Sequence, residues 1–339
     1  MSSKLRDIDA VTRNQFESDI LTGGEPVVLR GLVSDWPGIV SDASTLFAAL
    51  KSYDNGMPQG TLLGGSGVKG QFNYAPNLRG QNYTQVSETV SVALDRLLSS
   101  DHPDGAYIQS IPLDKHMPRF VADHPMPLLP ESVTPRAWIG TPTTVQTHFD
   151  QSHNIACVLL GERVVTLFPP DQLPGLYPGP LETAPGGAVV SLTDLDAPDF
   201  EKHPKFEEAL KHKQTVTLQA GDALYIPYGW WHHIRATAPL NMLVNYWFMP
   251  LTPRLETPYA AMALAMLCFD RMDDKARAVW SGLFDHFVFR KNGDPMGHVN
   301  DDVRGFLGGN PEGQEGNAIF EILGSLAPLV GLKLPPIKK

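Results

Sequence analysis

Cysteine is scarce in this sequence of 339 residues, which contains only Cys157 and Cys268. Two cysteines exclude a disulfide framework, and they are too few for a Cys-rich zinc site. Each lies in an apolar stretch, which favours ordinary packing over metal binding.

Long apolar runs and an excess of basic charge are also lacking. No run is long enough to span a bilayer, and the first six residues lead into polar sequence instead of a signal-peptide core. The net charge is −10 and the pI is near 5.5. Because phosphate binding relies on clustered Lys and Arg, the sequence disfavours nucleic acid as the main partner. It predicts a cytoplasmic protein without a membrane segment.

Glycine and proline, by contrast, are frequent, with 30 of each. This composition favours a turn-rich, strand-rich chain, and strand signals are dense in residues 138–169 and again from residue 215 to 248. Helical patterns occupy residues 86–98, 258–269 and 275–289. We therefore expect a mainly β domain with helices in residues 1–250 and a separate helical region in residues 251–339.

A short metal-binding pattern stands at His148 and Asp150. Successive side chains of a β-strand alternate between its two faces, so these two side chains point the same way and could bind one metal ion together. A third ligand from another strand would complete one face of an octahedron and leave three positions open, as in non-haem Fe(II) oxygenases. The candidates are His232 and His233, which alternation places on opposite faces. We favour His232, although the residues alone do not decide.

Two further residues are candidates for binding an organic acid. Tyr107 shares one strand face with Gln109, so it could face a barrel interior or pack in the core with its hydroxyl on water. Arg163 follows a tight hairpin, where its planar fork could grip a carboxylate or cap the hairpin in solvent. The Pro-rich residues 112–135 read as a surface connection that exposes His116 and His124.

These motifs resemble the cupin-like Jumonji C family of Fe(II)- and 2-oxoglutarate-dependent oxygenases. In pattern the sequence is similar to the asparaginyl hydroxylase that acts on hypoxia-inducible factor. The resemblance extends over roughly residues 10–250. It is carried by residues 24–31, 35–37, 148–154, 167–172, 176–178, 221–234 and 244–247.

The resemblance implies a double-stranded β-helix, also called a cupin or jelly-roll fold, with its barrel core in about residues 105–250. It implies Fe(II), 2-oxoglutarate as co-substrate, and O₂. The implied metal ligands, and catalytic residues, are His148, Asp150 and His232, which decides against His233. The implied co-substrate residues are Tyr107, Asn154, Arg163 and Asn245.

Two positions depart from the family pattern. Arg163 stands where the related hydroxylase has a lysine for the distal carboxylate of 2-oxoglutarate, and Val145 stands where it has a threonine. Arginine keeps the positive charge but is larger and forked, so the co-substrate could sit differently. Thr144 or Thr147 is a candidate for the missing hydroxyl.

The resulting hypothesis is an oxygenase that hydroxylates a side chain of a protein or peptide, with a small molecule as an open alternative. Rival hypotheses are a cupin-type metalloenzyme that uses no 2-oxoglutarate and a non-catalytic binding module. Apolar residues occupy several faces of the helix at 258–269, so we also expect a homodimer through the C-terminal helices. The alternative is a monomer in which these helices pad the barrel's edge.

Overall fold

A computed structural model describes residues 5–39, 42–65, 67–73, 75, 80–99, 105–180, 189–250, 258–300, 303–304, 323–324 and 326–327. The chain divides into two compact units, Met1–Leu251 and Thr252–Lys339. The sequence also predicts a last short helix at residues 318–326, which falls largely outside the described residues.

Strands dominate the first unit. They are β1 (Arg6–Asp9), β2 (Val27–Arg30), β3 (Gln59–Gly64), β4 (Tyr83–Glu88), β5 (Ala106–Pro112), β6 (Pro135–Gly140), β7 (Thr144–Phe149), β8 (His153–Leu160), β9 (Arg163–Phe168), β10 (Gln214–Leu218), β11 (Ala223–Ile226), β12 (Trp231–Ala236) and β13 (Asn241–Phe248).

Helices occur in both units, and α8 and α9 in the following list belong to the second unit. They are α1 (Arg13–Gln15), α2 (Leu21–Gly23), α3 (Ala43–Tyr53), α4 (Val90–Ser99), α5 (Leu113–His116), α6 (Pro118–Asp123), α7 (Phe206–Lys211), α8 (Pro258–Phe269) and α9 (Asp274–Leu283). Two π-helical segments, Phe16–Ile20 and Phe284–Val288, and a 3₁₀ segment, Pro170–Gly175, complete them.

The strands form two sheets. Nine strands pair in the order β1-β2-β11-β8-β13-β6-β5-β3-β4, and four pair in the order β10-β9-β12-β7. All neighbours are antiparallel except β1 and β2. This sandwich with appended helices confirms the cupin, jelly-roll fold expected from the sequence.

Two apolar clusters separate the layers of the first unit. Alternation along β8 sends Val158 into a cluster with residues of the smaller sheet, such as Val165 and Leu167. The adjacent Cys157 points the other way, into a larger cluster that includes Phe47 of α3 and Leu94 of α4. Strand β8 of the larger sheet is therefore buried on both faces, whereas the metal-binding histidines belong to β7 and β12 of the smaller sheet.

Helix α3 begins where the sequence provides a cap. The Asp42 side chain accepts a hydrogen bond from the Thr45 backbone N–H at 3.1 Å, which satisfies one of the free donors of the first turn. Leu46, Phe47 and Leu50 then fall on one buried face. This spacing packs the helix against the outer face of the larger sheet.

The expectation that His116 and His124 are exposed was wrong. His124 is only 3% exposed and His116 is 7% exposed. The two ring nitrogens of His124 lie 2.8 Å from the Phe120 carbonyl oxygen and 3.0 Å from the Pro37 carbonyl oxygen. Its ring stacks on the Phe120 ring, with the two ring centroids 3.8 Å apart. Contacts with a distant segment bury a residue that its Pro-rich surroundings would place at the surface.

The helix expected at residues 86–98 also begins later than its apolar pattern suggests. Residues 83–88 form β4, which pairs with β3 from Gln59↔Glu88 to Gly64↔Tyr83, and α4 follows from Val90. Because pairing across the sheet satisfies the backbone groups of residues 86–88, it outweighs their position in the helical pattern.

The second unit contains a helical hairpin of α8 and α9. The Asp273 side chain caps α9 by accepting from the Ala276 backbone N–H at 2.8 Å. Neither helix has a buried residue, and the Leu267 side chain is 80% exposed. Within the described residues, no helix combines the length and apolarity that crossing a membrane requires. The cytoplasmic location stays a prediction.

Candidate metal centre

Strands β7 and β12 bring the two histidines of the centre next to each other. His148 and His232 are Cα partners in the antiparallel register, and their ring centroids lie 4.3 Å apart. Asp150 follows directly after β7, and its Oδ2 is 3.5 Å from His232 Nε2. One ligand atom from each of the three residues lies within 4.8 Å of the others. Residues 84 positions apart in the sequence therefore form one cluster.

Backbone contacts fix which nitrogen of each imidazole faces the cluster. His148 Nδ1 lies 2.8 Å from the Gln146 carbonyl oxygen, and His232 Nδ1 lies 3.0 Å from the Trp230 carbonyl oxygen. Because a carbonyl only accepts, each Nδ1 carries the proton and each Nε2 keeps a free lone pair. Burial, together with the nearby His148 ring, lowers the pKa of His232 to about 4, so this ring is neutral at pH 7.

A hydrogen-bond network orients the carboxylate of Asp150. Its Oδ2 accepts from Trp247 Nε1 at 2.9 Å and from Asn154 Nδ2 at 3.2 Å. Asn245 Nδ2 donates to Asn154 Oδ1 at 3.2 Å, and Trp138 Nε1 donates to Asn245 Oδ1 at 2.7 Å. Each amide is held by a neighbour, which fixes the carboxylate in a position suited to metal binding.

Arg163 lies in the same pocket and is only 2% exposed. Its Nε has no hydrogen-bond partner within the described residues. The Tyr107 hydroxyl interacts with the guanidinium, and burial raises the Tyr107 pKa to about 12, so the phenol supplies no compensating charge. Burial likewise lowers the Arg163 pKa. A buried cation without a carboxylate partner is costly and indicates an anionic ligand.

The structure places all seven residues singled out in the sequence around one pocket. They are Tyr107, His148, Asp150, Asn154, Arg163, His232 and Asn245. Apolar side chains form the remaining wall, among them Val145, Ile234 and Leu243. Neither Thr144 nor Thr147 lines this pocket, so the expectation that one of them supplies a hydroxyl was wrong.

The donor set fits a divalent transition metal. Two imidazoles and one carboxylate on one side of a pocket are the ligands of non-haem Fe(II) sites with open positions. His233, the rival third ligand, is buried but does not belong to the described cluster.

The model of the family described as "Cupin-like domain" matches residues 13–252. This match covers more than half of the chain, including every residue of the centre. The chain belongs to the cupin-like domain family. The Jumonji C resemblance is confirmed at the level of the family, whereas the likeness to the asparaginyl hydroxylase rests on the motif pattern.

Curated relatives of this cupin-like protein bear several names. The lysine-specific demethylase JMJ31 of Arabidopsis thaliana is 39% identical over 30% of this chain and 18% of its own length. Jumonji C domain-containing protein 5 of Drosophila melanogaster is 24% identical over 71% of this chain and 59% of its own length. The human HSPB1-associated protein 1 is 30% identical over 39% of this chain and 27% of its own length. The chain thus matches only part of the length of each of these relatives.

Sequence reasoning assigned no role to two tryptophans of the cupin-like site. Trp247 donates to the metal carboxylate, and Trp138 holds Asn245. Trp247 stands two residues after Asn245 on β13, and this spacing puts both side chains on one face. That signal could have identified Trp247, whereas the partner of Trp138 depends on strand pairing across the sheet.

We predict that Trp247→Phe weakens metal binding. The change removes the indole N–H that donates to Asp150 Oδ2 but keeps an aromatic ring. Loss of such a supporting hydrogen bond typically reduces metal affinity about 10- to 100-fold. Isothermal titration with Mn(II) measures the change. Trp36→Phe is the matched control, because that indole donates to the Pro125 carbonyl oxygen, outside the metal pocket. Equal affinities in the two variants would contradict this role of Trp247.

Proposed function

We propose that this protein is an Fe(II)- and 2-oxoglutarate-dependent oxygenase that hydroxylates a side chain of a protein or peptide. The observation that carries the proposal is the guanidinium of Arg163, which is buried in the same pocket as His148, Asp150 and His232 and has no carboxylate partner among the described residues. A metal-binding face and a buried cation in one cavity call for a ligand that bears two acidic ends.

2-Oxoglutarate has such ends, since a keto acid can chelate a metal while a distal carboxylate pairs with an arginine. The Arg163 fork and the Tyr107 hydroxyl would bind the distal carboxylate, because a buried anion needs a paired cation and further donors. His148, Asp150 and His232 would hold iron. When bound, iron and 2-oxoglutarate supply the activation of O₂.

The protein's own residues orient the metal ligands and exclude water from the pocket. Trp247 and Asn154 keep Asp150 from rotating, and the backbone carbonyls at Gln146 and Trp230 keep both imidazoles in the Nδ1–H tautomer. Val145, Ile234 and Leu243 give the cavity an apolar wall that limits water near the reacting centre. These tasks do not require a protein group to transfer a proton.

Release of succinate tests the proposal. Purified protein incubated with Fe(II), 2-oxoglutarate and O₂ should release succinate slowly without substrate, and Asp150→Asn should abolish that release. A protein that binds metal in the centre but never converts 2-oxoglutarate would support the rival cupin-type enzyme acting on a small molecule. This rival is motivated by Val145 and Arg163, the two departures from the family pattern.

A protein substrate is supported by the relatives rather than by the pocket. One curated relative is named a lysine-specific demethylase and another an HSPB1-associated protein. Both names concern other proteins, of which this chain covers a small part. A non-catalytic binding module is disfavoured, because a scaffold has no need for a metal-ligand triad with its supporting hydrogen bonds.

We also propose that the second unit, Thr252–Lys339, makes the protein a homodimer. Met266 is 54% exposed, Leu267 is 80% exposed and Val279 is 64% exposed. These apolar side chains lie on one helical hairpin, and apolar surfaces of this kind mark interaction sites. A twofold interface would cover the same surface on both copies.

We therefore predict that Leu267→Glu converts a dimer into a monomer. A glutamate in an apolar interface must lose its hydration without gaining a partner, which weakens association. Sedimentation equilibrium at micromolar concentration measures the mass. Lys202→Glu, at an exposed position of the first unit, is the control and should stay dimeric. A wild-type mass near 37 kDa, the mass of one chain, would exclude the dimer.

A further inference from the structure

A second chamber adjoins the metal pocket. Trp138, Val145, His148, Asp150 and Trp247 line both spaces. The outer chamber is completed by Leu62, Phe72, Asn73, Tyr83, Gln109, Gln146 and Val190. Because the two spaces share His148 and Asp150, a molecule in the outer chamber lies next to the metal centre.

Residues on three neighbouring strands line the two spaces. The strands β13, β6 and β5 are adjacent and antiparallel, and residues two apart on a strand share a face. Along β13 the chain passes outward from Asn245 to Trp247, and along β5 it passes from Tyr107 to Gln109. On β6 the residue beyond Trp138 in the outward direction is Arg136. Strands β13 and β5 thus each supply one residue to the inner pocket and one to the outer chamber, and Trp138 of β6 lines both.

Among the described residues, the outer chamber has no carboxylate available for a cation. Among its described lining residues the only carboxylate is Asp150, which is committed to the metal centre. A positive charge lies close by, since the Arg136 guanidinium is 5.6 Å from the centre of the ring of Trp247, which lines the chamber. A lysine or arginine side chain entering here would lose its hydration without finding a counter-charge, and this is unfavourable.

Gln109 lines the chamber with a side-chain amide that is free among the described residues. Gln146 Nε2 already donates to the Thr193 carbonyl oxygen at 2.7 Å, whereas the Gln109 amide makes no hydrogen bond within the described residues. The β5–β6 register shifts between Ile108 and Ile111, and Ser110 has a φ of 55°. An irregular strand of this kind re-aims side chains beside functional sites.

We propose that Gln109 binds the substrate directly and that the outer chamber accepts an uncharged, hydrogen-bonding side chain while it rejects lysine and arginine. The inference rests on the proposed function, because it takes the metal centre to be the reacting site. Gln109 offers one donor group and one acceptor, which suits an amide or a hydroxyl group. Arg136 strengthens the discrimination against cations.

Paramagnetic relaxation by Mn(II) tests this inference without catalysis. The protein is loaded with Mn(II) and 2-oxoglutarate, and two probes are added in turn, N-acetyl-glutamine amide and N-acetyl-lysine amide. The side-chain protons of a probe relax faster only when it enters the chamber beside the metal. We expect relaxation of the glutamine probe and little relaxation of the lysine probe.

Two nearly isosteric variants complete the test. Gln109→Met removes the hydrogen bond and should reduce relaxation of the glutamine probe about fivefold, the effect of losing one neutral hydrogen bond. Gln109→Glu supplies a carboxylate and should admit the lysine probe. The relaxation of 2-oxoglutarate protons should be the same in both variants and in wild type.

The outcomes separate this inference from the function it rests on. If Mn(II) fails to relax 2-oxoglutarate itself, the proposed function fails, and this inference with it. If 2-oxoglutarate is relaxed but the lysine probe enters as readily as the glutamine probe, only this inference is overturned. The same holds if neither probe enters, or if Gln109→Met changes nothing.

Discussion

Replacing His232 by alanine is expected to abolish tight binding of Fe(II) or Mn(II). His232 contributes one of three ligand atoms that lie within 4.8 Å of one another, and two ligands cannot complete the binding face. We expect the affinity for Mn(II) to fall by more than about 100-fold, beyond the loss caused by removing a supporting hydrogen bond. Isothermal titration of the purified variants provides the measurement.

His233→Ala is the matched control for this experiment. His233 is adjacent on β12 and equally buried, but it lies outside the described cluster. The variant should therefore bind metal almost as wild type does, even if the loss of a buried side chain lowers its melting temperature. If His233→Ala loses the metal while His232→Ala retains it, the ligand assignment on β12 is wrong.

Replacing Arg163 by methionine is expected to have opposite effects with and without 2-oxoglutarate. Methionine fills a similar space without a charge, so the ligand-free protein should become as stable as wild type or more stable, because an unpaired buried cation is removed. The affinity for 2-oxoglutarate should fall on the order of 100-fold, since the distal carboxylate loses its partner.

Thermal unfolding in the presence of Mn(II) detects both effects. A ligand that binds only the folded state raises the melting temperature, so wild type should gain stability as 2-oxoglutarate is added and Arg163→Met should gain little. Arg163→Lys, which keeps the charge, should retain part of the gain. An equal gain in wild type and Arg163→Met would move the carboxylate site away from Arg163.

The parts of the site that lie close together in the sequence could be predicted well. Alternation along a strand places His148 and Asp150 on one side, and the structure brings their ligand atoms together although Asp150 lies just past the strand end. Local spacing is sufficient here, because neighbouring residues of an extended chain have few alternative orientations. The sandwich fold could be predicted for a related reason, since strands and turns have local signals.

The parts that depend on distant contacts could not be predicted from residue patterns. Arg163 follows a hairpin, where solvent exposure is common, but its pairing with Ala236 of β12 carries it into the pocket. His124 is buried because it stacks on Phe120 and meets the edge of Trp36, which comes from a segment some 90 residues earlier. Alternation alone also left the choice between His232 and His233 open.

The proposed discrimination against cations bears on the type of reaction. A demethylase acting on lysine must admit a cationic side chain, and the described lining of the outer chamber has no free carboxylate to pair with one. Hydroxylation of an uncharged side chain therefore agrees better with this chamber.

The central claim is that one pocket binds both iron and 2-oxoglutarate, and a crystal structure of the protein soaked anaerobically with both tests it most directly. We expect one metal ion bound by His148, Asp150 and His232, with 2-oxoglutarate on its open side and the distal carboxylate on Arg163. Metal bound elsewhere, or a metal centre with 2-oxoglutarate absent or turned away from Arg163, would contradict the account.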